Sequence, residues 1–67
     1  MTKEQMIRAR MKFGLTLDQM AHMLGYDGEH ARKVLCDIES GRRRIRDAQR
    51  RLLEAYLAGY RPKDWPQ

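Results

Sequence analysis

The sequence predicts an all-α domain, a compact bundle of four main helices, and three observations favour this class. Apolar residues recur three and four positions apart in four separate stretches, which is the spacing of one helix face. Two stretches begin with Thr followed three residues later by Gln, at Thr2–Gln5 and Thr16–Gln19, the capping-box pattern of a helix start. Each stretch is followed closely by a glycine, where helices commonly stop. We therefore expect a single domain over residues 1–67, with a short C-terminal tail at 61–67.

The first two helices have the clearest boundaries. The first is expected to begin after Thr2 and to stop at Gly14. The second is expected from about Leu17 to Leu24, preceded by its own capping box. Gly25 can adopt the left-handed backbone that ends this helix without a Cβ clash, so a tight turn follows.

The third and fourth helices are predicted from their caps and their apolar spacing. Asp27 is expected to cap the third helix by accepting from the amides of Glu29 or His30. Asp47 is expected to cap a fourth helix that runs to about Ala58. The inward face of the third helix then comprises Ala31, Val34, Leu35 and Ile38.

The apolar surface of the fourth helix is wider than contact with one core requires. One face contains Ala48, Leu52, Ala55 and Tyr56, and a second face beside it contains Leu53, Leu57 and Tyr60. The surplus indicates a partner chain, and a chain this short gains stability from a homodimer. We assign the predicted dimer interface to Leu53, Leu57, Tyr60 and Trp65. Trp65 has a second interpretation, packing against the fourth helix of its own chain.

The composition favours a polyanionic partner. Lys and Arg number 14 against 9 Asp and Glu, so the net charge is +5 and the pI is about 9.9. Nucleic acid is the first candidate and an anionic membrane surface the second. No apolar run approaches the roughly 18 residues of a membrane span, and the signal-peptide pattern is missing, so we expect a cytoplasmic protein.

Metal, redox and enzymatic roles are not expected. Cys36 is the single cysteine, and neither His22 nor His30 stands at a spacing that builds a zinc site with it. Nothing in the sequence supplies His22 with a catalytic partner. We therefore predict no cofactor, no metal and no enzyme.

A twenty-residue pattern from Leu17 to Cys36 carries the functional hypothesis. Counted from Leu17, an apolar residue falls fourth and a small residue fifth, and Gly25 is ninth. Tyr26 falls tenth, and apolar Ala31 and Val34 fall fifteenth and eighteenth. This spacing suits a second helix that braces a third against the DNA major groove, and it resembles the helix-turn-helix of bacterial and phage repressors.

The resemblance extends from about Met6 to Tyr60. The segments GLT at 14–16, LG at 24–25 and IESGRR at 38–43 resemble the Cro and lambda-repressor type of helix-turn-helix regulator. A weaker resemblance, through a GYRP-like ending at 59–62, is to small phage regulators such as anti-CRISPR-associated repressors. The resemblance implies a homodimer that binds an inverted-repeat operator in double-stranded DNA and regulates transcription as a repressor, with a phage or mobile-element origin.

The resemblance also implies residue roles. Base reading falls to four residues early in the third helix, Glu29, His30, Arg32 and Lys33. Phosphate contact falls to Gln19 and to the run after the third helix, Arg42, Arg43 and Arg44. Arg10 and Glu39 match a structural salt bridge between the first and third helices. These roles have plainer alternatives: the arginine run as a solvated surface, Arg32 and Lys33 as ordinary surface residues, and Glu29 as a helix-dipole acid. Cys36, one turn beyond Lys33 on the outer face, is interpreted as a bystander thiol.

Two features depart from the family pattern. Leu17 stands where the family usually has Gln, which removes one phosphate contact. The stretch leading to IESG at 38–41 is about four residues longer than the common spacing, the equivalent of about one helical turn, so we expect a longer third helix. Two rival functions are a protein-interaction module, such as an antitoxin-like partner, and an RNA-binding adaptor. Against the RNA-binding adaptor, the sequence lacks the exposed aromatic platform that single-strand binders use.

Overall fold

A computed structural model describes residues 2–66, so Met1 and Gln67, the ends of the predicted domain and tail, lie outside the described range. Within that range the fold has four α-helices and no strand. The helices are α1 (Lys3–Phe13), α2 (Leu17–Met23), α3 (Ala31–Glu39) and α4 (Asp47–Leu57). The all-α class with four main helices is confirmed. None of the described helices is long and apolar enough to span a membrane.

Both predicted capping boxes are present. The Thr2 hydroxyl accepts from the Gln5 amide at 3.2 Å, and the Gln5 side chain accepts from the Thr2 amide at 2.7 Å. At the start of α2 the Thr16 hydroxyl accepts from the Gln19 amide at 3.1 Å, with the reciprocal bond at 2.9 Å. Gly14 ends α1 with a left-handed φ of 69°. These local hydrogen bonds fix both helix starts at the predicted residues.

The predicted start of α3 is wrong. The helix begins at Ala31, and Asp27 is not its cap, because Gly28 adopts a φ of 88° that interrupts any helix passing through it. His30 occupies the N-cap position without a side-chain cap. Glu29 and His30 therefore lie in the connection before α3 and not on its exposed face.

The long third helix expected from the sequence is not observed. The helix has only nine residues, and the connection after α2 contains two glycines with positive φ, Gly25 and Gly28. The connection leaves α2 through bonds from the Gly25 amide to the His22 carbonyl and from the Tyr26 amide to the Ala21 carbonyl. Ile38 still faces the core, at 4% exposed, as expected.

The core lies where α1, α2 and α3 meet, closed by α4. Its fully enclosed side chains are Met6, Met20, Leu24, Leu35 and Leu53. The prediction that Leu53 contacts a partner chain is wrong, because its side chain is 0% exposed within the single chain. Asp47 is the first residue of α4 and not its cap, which is Arg46.

An ion pair between Arg10 and Glu39 ties α1 to the end of α3. The Arg10 Nε and Nη2 atoms donate to the two Glu39 carboxylate oxygens at 2.8 and 3.1 Å. The remaining nitrogen, Nη1, donates to the Leu15 carbonyl at 3.2 Å. The bidentate geometry fixes the angle of approach as well as the charge pairing. This pair, expected between α1 and α3, is present.

The tail folds back onto α1 and α4. The Trp65 ring lies edge-on to Phe13 and to Tyr56, with both centroid distances 5.2 Å. Arg61 stacks over Trp65 at 4.3 Å and donates to the Tyr56 and Tyr60 carbonyls, both at 2.8 Å. Of the two interpretations of Trp65, packing against the fourth helix is the observed one, and its ring is engaged within its own chain.

Candidate nucleic-acid interface

The first turn of α3 carries two exposed cations. Arg32 and Lys33 follow Ala31 directly, and Ala31 and Val34 turn toward the core beneath them. Among the described residues no carboxylate forms an ion pair with Arg32 or Lys33. Both side chains are therefore available as hydrogen-bond donors, and a guanidinium suits the two acceptors of a guanine edge.

Glu29 and His30 precede these cations in the connection. Both are exposed, and the left-handed Gly28 lies immediately before them. The sequence interpretation placed them on the helix because it took Asp27 as the helix cap. Gly28, three residues after Gly25, was the signal for a second turn residue that this interpretation missed.

The start of α2 lies beside Arg32. A concavity of about 420 Å³ is lined by Arg32 from α3 and by Thr16, Leu17 and Asp18 from α2. Gln19 is half-buried, and its side-chain oxygen is occupied by the capping bond to Thr16. The side-chain amide nitrogen of Gln19 remains as the donor for the predicted phosphate contact. The structure thus brings the start of α2 and the first turn of α3 to one surface.

The loop between α3 and α4 presents the arginine run. Arg42, Arg43 and Arg44 are exposed, and Ile45 beside them packs against the core and anchors the loop. The Asp37 carbonyl accepts from the amides of Arg42 and Arg43 at 2.9 and 3.2 Å. The Arg42 guanidinium also lies 3.8 Å from the Asp37 carboxylate. Within residues 2–66, Arg43 and Arg44 have no ion-pair partner.

Tyr26, in the connection before α3, is within electrostatic range of this loop. Its ring is half-buried against the core, and burial raises the pKa of its phenol above the usual 10.0. The charges of Arg43 and Arg46 act on the same phenol and oppose that rise in pKa. Arg43 and Arg46 of the loop therefore lie close enough to Tyr26 to act on it electrostatically.

The remaining predicted residues lie elsewhere. Leu57 and Tyr60, two of the assigned dimer residues, are 38% and 55% exposed at the end of α4. Met11 is exposed as well, at 71%, on α1. Cys36 is exposed on α3, and the described residues contain no cluster suited to a metal ion.

Comparison with protein-family models, with curated proteins and with solved structures finds no match to this chain.

Proposed function

We propose that this chain is a sequence-specific DNA-binding regulator of transcription that acts as a repressor. In this proposal α3 enters the major groove, where Arg32 and Lys33 contact base edges and Glu29 and His30 contact the groove nearby. Gln19 and the arginine loop contact phosphates on either side. What supports the proposal is one observation, the pair of exposed and unpaired cations in the first turn of a helix braced by α2.

The dimensions fit one half-site per chain. The domain extends 29 Å along its longest axis, less than the roughly 34 Å of one DNA helical turn. Two copies related by a two-fold axis would contact half-sites about one turn apart, which gives an inverted-repeat operator. Leu57 and Tyr60 are the exposed apolar residues that remain for the dimer contact.

Selection of bound DNA from a random pool tests the proposal. We expect enrichment of one inverted repeat with half-sites spaced by about 10 base pairs. Recovery of unrelated sequences at moderate salt would overturn it, because a net charge of +5 alone produces only nonspecific binding.

A charge-matched pair of variants separates site from composition. Arg32→Ala combined with Lys33→Ala lowers the net charge from +5 by 2 to +3. Arg8→Ala combined with Arg51→Ala makes the same change on exposed positions of α1 and α4. We expect the first variant to lose binding to the selected sequence and the second variant to retain it. Equal losses of affinity would contradict a specific interface.

The second candidate function is a protein-interaction module, and the exposed pair Leu57 and Tyr60 favours it. Sedimentation of the isolated protein distinguishes the two candidates. A homodimer that Leu57→Glu dissociates and Met11→Glu leaves intact supports the regulator. A monomer at all concentrations, without selected DNA, supports the interaction module.

A further inference from the structure

A cavity of about 290 Å³ lies between the N-terminal turn of α1 and the arginine loop. Its apolar lining comes from Met6, Ile38 and Ile45. Met6 and Ile38 belong to the core and are 1% and 4% exposed, and Ile45 is half-buried against them. The cavity therefore opens onto the edge of the hydrophobic core.

Cations dominate the polar part of the lining. Lys3, Arg43 and Arg44 line the cavity, all three are exposed, and none has an ion-pair partner among the described residues. Glu4 is the one carboxylate in the lining, so three positive charges and one negative charge leave a formal +2. An apolar group with an attached anion complements both parts of this cavity.

The Lys3 side chain lies close to Gly41 at the start of the arginine loop. Gly41 has a φ of 85°, and a Cβ atom built there would lie 3.2 Å from Lys3 Cδ and 3.8 Å from Lys3 Nζ. The lysine side chain thus lies across the bare backbone of Gly41. Any larger residue at 41 would displace the side chain and strain the backbone.

We propose that this cavity binds a small amphipathic anion, a phosphate monoester or carboxylate joined to an apolar group. At about 30 Å³ for a water-sized group, the volume accommodates about ten non-hydrogen atoms. The apolar group packs against half-buried Ile45 at the edge of the core, where Met6 and Ile38 form the floor of the cavity, and the anion lies among Lys3, Arg43 and Arg44. The protein undergoes no covalent change.

A consequence rests on the proposed function. Arg43 and Arg44 are also the residues proposed to contact DNA phosphates, so the small anion and the operator exclude one another. At a ligand concentration about ten times its own Kd, the apparent Kd for operator DNA should rise about tenfold. The exclusion is reciprocal, so operator DNA at about ten times its own Kd should raise the apparent Kd of the small anion about tenfold.

Methionine methyl resonances of the full chain report the cavity directly. Met6 lines it, whereas exposed Met11 and buried Met20 do not. Phenyl phosphate and benzoate are the two amphipathic probes. Inorganic phosphate, which lacks the apolar group, and benzyl alcohol, which lacks the anion, are the controls. We expect saturable shifts of the Met6 methyl with one or both amphipathic probes, and none for Met11 or Met20. Equal shifts with inorganic phosphate, or no Met6 shift with either amphipathic probe, would overturn the site.

Variants test the lining. Lys3→Gln combined with Arg44→Gln should lower the affinity for the amphipathic probe by about tenfold, since two charge-assisted contacts are lost. Arg8→Gln combined with Arg51→Gln is the charge-matched control and should leave binding unchanged. Ile45→Ala should weaken the same probe while the Met20 resonance confirms an intact core. Equal weakening by the control pair would contradict a site at this cavity.

Displacement of selected DNA by the binding probe tests the consequence separately. If no DNA is selected, the proposed function fails, and the methyl measurement still decides the cavity. If DNA is selected and the probe binds without changing the DNA Kd, mutual exclusion is overturned.

Discussion

Two groups of arginines in this chain differ in what they contact. Arg10 and Arg61 are bound within the fold: Arg10 pairs bidentately with Glu39, and Arg61 stacks on Trp65 and donates to two carbonyls. Arg32, Arg43 and Arg44 are exposed, and no described carboxylate pairs with them.

This difference shows where the basic charge serves the fold and where it does not. Removing a guanidinium from the first group breaks hydrogen bonds to acceptors that are mostly partly buried, which costs stability. Removing one from the second group leaves nothing unpaired, so the fold gives no reason for its presence. A polyanionic ligand is the reason we propose for these arginines, and three measurements separate the two groups.

The largest effect is expected for Arg10→Met. Glu39, whose side chain is only 10% exposed, would lose its partner, and we expect unfolding by urea to show a loss of about 2–4 kcal/mol. The estimate stays at this level because Arg10 itself is 24% exposed. Arg10→Met combined with Glu39→Leu should recover part of the loss. A loss below about 0.5 kcal/mol would place Arg10 in the second group.

Arg32→Ala should lower DNA affinity and leave stability nearly unchanged. Stability should change by no more than about 0.5 kcal/mol, because the side chain is exposed and unpaired. Binding to the selected sequence should weaken by about 1–3 kcal/mol, while binding to random DNA changes little. Fluorescence anisotropy with both DNAs measures the difference, and Arg51→Ala serves as the single-charge control. A parallel loss on both DNAs would remove Arg32 from base reading.

Arg43→Ala should produce a smaller and less selective effect. A phosphate contact carries no sequence information, so affinity for selected and random DNA should fall alike. The slope of log affinity against log salt should decrease in magnitude by about 0.9. Arg43→Lys should retain most of the slope because the charge is kept. An unchanged slope for Arg43→Ala would show that this arginine contacts no phosphate.

The smallest effect concerns alkaline pH and tests the packed end of the molecule. Burial raises the pKa of the Tyr56 phenol above 10.0, and Asp64 raises it further. Between pH 10 and that higher pKa the folded state keeps a proton that the unfolded chain loses. Stability is therefore expected to fall as pH rises through this window.

Thermal unfolding between pH 8 and 11 measures the alkaline effect, with Tyr56→Phe as the comparison. The variant loses the hydroxyl bond to the Met23 carbonyl, which is 2.6 Å long, so it should be less stable at pH 8. The stability difference between the two proteins should narrow toward pH 11. A constant difference would show that Tyr56 contributes no pH dependence.

Local chemistry explains which parts of the fold the sequence predicted. The capping boxes at Thr2 and Thr16 involve residues three apart, so both helix starts followed from the sequence alone. The start of α3 did not, because Asp27 is a good cap in isolation and only the conformation of Gly28 excludes it.

The side-chain assignments at the end of the chain needed tertiary contacts. Leu53 and Leu57 both look like surplus apolar residues on α4, yet one is fully enclosed and the other is 38% exposed. Which of the two leucines is buried in the core depends on how α4 lies across the other helices. The spacing of apolar residues along α4 does not specify that orientation. Trp65 packs on Phe13, fifty-two positions earlier in the chain, so its partner was equally beyond a local pattern.

The connection between α2 and α3 has a consequence for how such a protein can diversify. Each residue inserted into a helix rotates everything after it by about 100° around the axis. The same residue inserted into a glycine-containing turn leaves the phase of the following helix untouched. Gly25 and Gly28 lie in such a turn, and Leu35 and Ile38 on the following helix face the core. Loop length and helix phase are thus separate variables in this fold, and the position of Arg32 can change without repacking the core.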